Sequence, residues 1–263
     1  MQACKSGGLK VKKIFLLITF LALFGLCGVA QTSDQSNPNK ATKAERDAEN
    51  RADNPDTGKA AERADNAAHV LSEIMNTPDK GIPSEILSNA KCVIVIPGVK
   101  KAGFIVGARY GRGYATCRTS TAWTAPAPVF MGGGSYGAQI GAEGVDLVLV
   151  VMNDKGVQKL LSSKFEIGVD ASAAAGPVGR SASAGTNWKL DSEILSYSRA
   201  KGLFAGIELS GAKIRQDDDT TKELYGRVIP FRDILSGSVP TPRAAQAFVA
   251  EVQRDFRESR ASR

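Results

Sequence analysis

The sequence predicts an α+β protein: a glycine-rich, mainly antiparallel curved sheet or open barrel with N- and C-terminal helices packed on it. Three observations lead there. Apolar residues recur at helical spacing near both ends, at Ala64, Ala67, Ala68, Leu71, Ile74 and Met75, and again at Ala244, Phe248, Val252 and Phe256. Between these segments lie β-branched runs bounded by turn residues. The 27 glycines among 263 residues suit a strongly curved sheet, where bulges and close backbone approach favour a residue without a side chain. A helix–strands–helix order places the helices on one sheet rather than between parallel strands.

Residues 1–30 have the layout of a signal peptide. A basic run at Lys10 to Lys13 precedes the apolar stretch Ile14 to Cys27, then small residues lead to a cut after Ala30. The apolar part is short for a membrane span, which needs roughly 20 residues. The alternatives are an uncleaved anchor and a lipid-modified Cys27; Leu26 before the cysteine argues against the second. The expected location is exported, periplasmic or cell-envelope. Residues 31–58 are polar and charged and read as a disordered linker. A globular domain is expected over 59–238, followed by an amphipathic helix over 239–263.

Within the domain, the first helix stops near Asn76, ahead of Pro78, and a short one follows from Pro83 to Asn89. Cys92 to Ile96 reads as a strand closed by Pro97-Gly98, Gly103 to Tyr110 as a second strand, and Gly111-Arg112-Gly113 as a tight turn into a third that ends at Cys117. The apolar run Val145 to Met152 fits a strand buried on both faces. Asn153 or Asp154 caps a helix around Val157 to Leu161. Ile194 to Ser198, Leu203 to Leu209 and Ala212 to Arg215 are three more strands, Asp217-Asp218-Asp219 is a solvated turn, and Thr241 caps the last helix with Pro242 at its first position. In a three-strand meander Cys92 and Cys117 would sit about two strand spacings apart, near 9–10 Å, so the expectation is two buried free thiols.

Net charge is +7, but the first 30 residues contribute four lysines and no acids, leaving 30 basic against 27 acidic residues. That is too balanced for nucleic-acid binding, which needs a concentrated basic excess. A single histidine argues against His-based catalysis and metal sites, and neither metal nor cofactor is expected. His69 reads as a half-buried helix residue. The run from Gly132 to Gly137 contains G-x-G-x-x-G, yet Pro126 and Pro128 precede it and Gly141 interrupts the segment after it, which is wrong for a dinucleotide loop. Gly132, Gly134, Gly137 and Gly141 are therefore assigned to a curved strand or tight loop. No catalytic residues are assigned; Glu143 and Asp146 are the carboxylates that an unrecognised enzyme would use.

Lys100, Lys101, Arg109, Arg112 and Arg118 are five basic residues within 19 positions, and Trp123 lies close by. They are the candidate lipid-binding residues, since each basic side chain near an anionic membrane contributes on the order of 1 kcal/mol. In the meander reading Lys100-Lys101 and Arg112 fall at opposite ends.

From about Ala61 to Gly237 the chain resembles the SYLF domain family. The resemblance is carried by Ala90 to Pro97, Gly103 to Gly107, Gly111-Arg112-Gly113, Trp123 to Pro126, the glycine run 132–141 with Gln139, Val145 to Asn153, Gly176 to Gly179, Tyr197 to Leu203, and Tyr225-Gly226. It implies lipid binding without catalysis; eukaryotic members bind phosphoinositides and some, among them actin-patch regulators, bind actin. The resulting expectation is a non-enzymatic, exported module contacting phospholipid or a membrane surface. The alternative is an envelope scaffold or protein-interaction module that binds no lipid.

Overall fold

The computed structural model describes residues 57–76, 81–103, 106–136, 144–178, 192–200, 203–206 and 209–261. The expected signal peptide, Cys27, nearly all of the linker, and the loop positions Gly137, Gly141 and Glu143 lie outside them. Helix α1 spans Thr57–Met75 and α2 spans Ser84–Asn89, with Pro83 in the capping position one residue earlier than predicted. Strands follow at β1 Cys92–Gly103, β2 Val106–Cys117, β3 Ala127–Tyr136 and β4 Val145–Val151. After α3, Asp154–Leu161, come β5 Lys164–Glu166, β6 Ala173–Ala175, β7 Ile194–Ala200, β8 Leu203–Gly206 and β9 Ala212–Gln216. The chain closes with α4 Asp218–Tyr225, α5 Phe231–Leu235, a 3-10 turn at Arg243–Ala245 and α6 Gln246–Ala261.

The strands form one nine-stranded sheet in the order β5-β9-β3-β2-β1-β4-β7-β6, with β8 also paired to β7. Every pairing is antiparallel except β6 with β7. The α+β expectation therefore holds, with a largely antiparallel sheet and helices on it. The central strands have both faces covered. Ile94, Ile96, Leu147 and Leu149 join Phe231 and Ile234 of α5 on one side. Val93, Val95, Val148 and Val150 join Leu71 and Ile74 of α1 and Phe248, Val252 and Phe256 of α6 on the other. The stripe predicted on the last helix is thus buried, and α6 lies against α1 and α2.

The meander has two long strands where three are expected. Pro97-Gly98 does not end β1: it is a bulge, with the register shifting across it against both β2 and β4. A bulge removes the need for a proline N–H in the ladder, and Gly98 takes the left-handed φ of +57°. Gly111-Arg112-Gly113 is no turn but the middle of β2. A Cβ on Gly113 would lie 2.0 Å from the Val95 carbonyl oxygen, and one on Gly111 2.7 Å from Ile96 Cγ2, so these glycines serve close approach to the bulged strand.

That topology also corrects the cysteines. β1 and β2 are neighbours, Cys92 is the register partner of Cys117, and the two form a disulfide with Cα atoms 3.9 Å apart. The free-thiol expectation rests on an extra strand between them, and there is none. β3 runs through Pro128, although prolines ahead of the glycine run argue against a central strand there. Gly132 and Gly134 sit in β3, in agreement with the curved-strand reading. Asp217 is not in a solvated turn. It is buried and caps α4, its side chain accepting from the Thr220 backbone N–H at 3.3 Å and from the Thr220 hydroxyl at 2.7 Å. His69 is exposed, paired with Glu73 at 3.0 Å.

Candidate functional site

The face of the sheet that carries α1 is only partly covered by it. The strand ends beyond the helix, together with the polar flank of α1, enclose a groove of about 620 Å³. Alternation along β2 delivers Tyr110 and Arg112 to this face, because Tyr114 two residues on packs beneath α1. Lys100 is the register partner of Tyr110, so the two stand side by side on it. The bulge pushes Pro97 and Gly98 into the floor, where the Gly98 N–H donates to Asp146 Oδ1 at 2.9 Å. Asp146 of β4 and Arg199 of β7 are register partners joined at 2.7 Å, and Arg199 also reaches Glu73 of α1 at 2.5 Å. At that end of the groove Arg199 is therefore held between two carboxylates.

The rest of the lining holds four cations, Lys59, Arg63, Lys100 and Arg112, together with Glu62 of α1. Arg63 of α1 and Arg112 of β2 each donate from Nη1 to Thr220 Oγ1 at 3.3 Å. One hydroxyl thus gathers two guanidinium groups from different elements, no further apart than twice that distance. A single buried carboxylate, Asp217, lies 3.3 Å from Arg112; exposed Asp219 is more distant at 3.8 Å. Lys59 and Lys100 are exposed on the rim, and among the described residues neither has a carboxylate partner. Beneath them Tyr114 donates to the Ala60 carbonyl at 2.7 Å, and Glu223 accepts from the Ala60 N–H at 2.7 Å, which fixes the first turn of α1 on the sheet. Burial pushes the Tyr114 hydroxyl well above the ordinary phenol range; the neighbouring Arg63 pulls the other way and loses.

Two of the six candidate residues, Lys100 and Arg112, line this groove. Lys101 pairs with Arg109 across β1 and β2. Arg109 points to the opposite face, donating to the Ser210 carbonyl at 3.1 Å, and burial lowers its pKa. Arg118 and Trp123 lie at the far end of β2. Arg118 donates to the Ser88 and Leu87 carbonyls at 2.9 and 3.1 Å and stacks on Trp123 and Phe256, so its task is to hold α2 and α6. Sequence reasoning misses Lys59, Arg63, Arg199 and Asp217. Lys59 and Arg63 are spaced four apart on the first helix, which is a usable signal; Asp217 ahead of Thr220 is a legible helix start. Among the described residues no three His, Cys, Asp or Glu side chains are placed to hold a metal, and no helix is long and apolar enough to cross a membrane.

Residues 132–254 match the family model described as Ysc84, Las17-binding protein actin regulator. Similar proteins include rat SH3 domain-containing YSC84-like protein 1, 33% identical over 200 residues, covering 73% of this chain and 58% of that protein. Protein YSC84 of Saccharomyces cerevisiae is 34% identical over 171 residues, 64% of this chain and 36% of its own. An SH3 domain-containing protein of Schizosaccharomyces pombe is 38% identical over 168 residues, 62% and 39% of the two chains. The chain thus spans between about a third and three-fifths of the length of these relatives.

Proposed function

This chain belongs to the Ysc84 (SYLF) domain family, and from that premise we propose that it is a non-enzymatic module that binds anionic lipid surfaces. The observation that carries the reading is the imbalance in the groove. Among its lining residues Lys59, Arg63, Lys100, Arg112 and Arg199 stand against the carboxylates Glu62 and Asp146. Exposed Tyr110 beside Lys100 adds an amphipathic aromatic of the kind that suits a membrane interface. The family description speaks of binding and regulation, which supports contact rather than turnover.

Export belongs to the same proposal. A buried disulfide supports an oxidising compartment, and the basic, apolar and small-residue pattern of the first 30 residues supports secretion. Vesicle co-sedimentation is the direct test. Binding is expected to anionic and not to neutral vesicles, and to weaken as salt shortens the screening length to about 8 Å at physiological ionic strength. Equal binding to neutral vesicles, or none to either, overturns the reading.

A second reading rests on the printed names: relatives called Las17-binding or LAS seventeen-binding imply protein contacts. A stoichiometric protein partner recovered by in-cell crosslinking, with no vesicle binding, would favour it.

A further inference from the structure

The face of the sheet that carries α1 continues past the groove onto β3, β9 and β5, where the described residues leave it open. We propose that this strip is a binding track for an acidic polysaccharide, a linear chain of sugar rings bearing carboxylates. The proposal stands independently of the membrane reading.

Register fixes what the strip presents. One cross-strand row runs Lys100, Tyr110, Gly132, Lys213 and Glu166 over β1, β2, β3, β9 and β5. The next runs Arg112, Phe130, Arg215 and Lys164 over β2, β3, β9 and β5. Residues directly opposite on neighbouring strands share a face, and Tyr110 and Arg112 mark it as the face of α1. Met131 and Ile214, between the rows, point the other way into the core. Strand spacing makes the five-strand row about 19 Å long, and the two rows stand about 7 Å apart. The floor is bare. A Cβ on Gly134 would meet nothing within 4 Å, and one on Gly132 would meet the Phe130 ring at 3.0 Å. Arg215 lies over that ring, 4.5 Å from its centroid, and Tyr110 is 47% exposed. An open antiparallel face ordinarily alternates to polar residues. This one sets two aromatic rings and bare backbone between cations.

Charge narrows the ligand to a polyanion. The two rows carry five cations and one acid, Glu166. Arg112 is engaged by Asp217 and Asp219 of the neighbouring helix start, and Lys213 by Glu166 at 3.4 Å. Lys100, Lys164 and Arg215 have no carboxylate partner among the described residues. They stand on three different strands, so the free charge is strung along the rows instead of gathered at a point. Like charge excludes a second copy of the same strip. A track two rows deep is also too narrow for a protein face, which needs about 800 Å² per partner. Among linear polyanions, the near balance of 30 basic against 27 acidic residues beyond residue 30 argues against a nucleic acid. Carboxylates pair with a guanidinium by two parallel hydrogen bonds, and aromatic rings offer apolar faces to sugar rings.

Calorimetry of the full chain with three soluble probes tests the track: an oligogalacturonate, a dextran oligomer of the same length, and an oligothymidylate of the same charge. The uronate should bind, more weakly as salt rises, and about tenfold more tightly than the oligothymidylate. The dextran should not bind. Arg215→Gln and Lys164→Gln should each lower uronate affinity about three- to fivefold, the scale of one exposed charge pair. Gly134→Leu, which raises a side chain from the floor without altering charge, should lower it at least as much. All three positions are exposed, so the melting temperature should hold. Lys59→Gln in the groove should leave uronate binding unaltered. Failure of the uronate to bind, equal binding of dextran, oligothymidylate binding as tight, or wild-type affinity in every strip variant each overturns the track. A loss in Lys59→Gln as large as in Arg215→Gln would move the anion into the groove and overturn it as well.

Discussion

Arg118 shows how a side chain that looks functional in sequence is spent on architecture. It sits among basic residues beside a tryptophan, the pattern of a lipid contact, yet its donors go to the last carbonyls of α2 and its plane to Trp123 and Phe256. Arg118→Ala should cost about 2 kcal/mol, from hydrogen bonds to helix-end carbonyls together with the cation–π contacts. Urea denaturation will read that loss, and vesicle binding should be unchanged. A variant that bound vesicles less well at full stability would return Arg118 to the site. Arg112 is the converse case: its flanking glycines suggest a turn, but it is a strand residue whose neighbours in space come from positions 63 and 220. One-dimensional spacing gives the charge of such residues, but only long-range pairing tells which of them share a face.

At the level of elements, both ends of the fold and most strands are legible because their signals are local. Helical spacing marks α1 and α6, and unbroken apolar runs mark β1 and β4. The β1–β2 hairpin misleads for a physical reason. Pro and Gly punctuate a chain in a turn and in a bulge alike, and only the partner strand distinguishes the two. The short β5 and β6, three residues each, and the helices α4 and α5 carry too little periodicity to register. The bulge makes a sharp prediction for the hairpin. Gly113→Ala drives a Cβ into the Val95 carbonyl oxygen and should destabilise by about 3 kcal/mol or prevent folding. Gly134→Ala in β3, where nothing lies within 4 Å, should change stability by less than about 0.5 kcal/mol. Thermal melts of the pair decide it; similar losses in both would mean that β1 and β2 do not approach as described. The disulfide belongs to the same hairpin. Replacing both Cys92 and Cys117 by Ala should lower unfolding free energy by about 3 kcal/mol, the scale for a loop of this length. The same denaturant titration with and without reductant checks it, since reductant should affect only the wild type.

Across the whole molecule, two fully buried tyrosines and one partly buried one share one electrostatic condition. Burial raises the pKa of Tyr114, Tyr197 and Tyr225. The folded state therefore keeps protons that the unfolded chain releases above its own phenol pKa of about 10. Their contribution is fully present below that pH and is lost as pH rises beyond it, at up to about 1.4 kcal/mol per pH unit for each tyrosine. Stability measured from pH 9 to 12 should fall steeply, with tyrosinate absorbance from these residues appearing together with unfolding. Tyr114→Phe should shallow the slope; an unchanged slope would show that the phenol does not stay protonated in the folded protein.

The packing of α1 against α6 carries a consequence for biogenesis. The wall that bears Lys59 and Arg63 leans on a segment made almost two hundred residues later. Until that closing helix emerges, the apolar stripe of α1 has no cover on that side and the cationic cleft lacks a fixed rim. A nascent chain would therefore travel with an unfinished groove, and a premature stop near the C-terminus would leave α1 without its support from the far end of the gene.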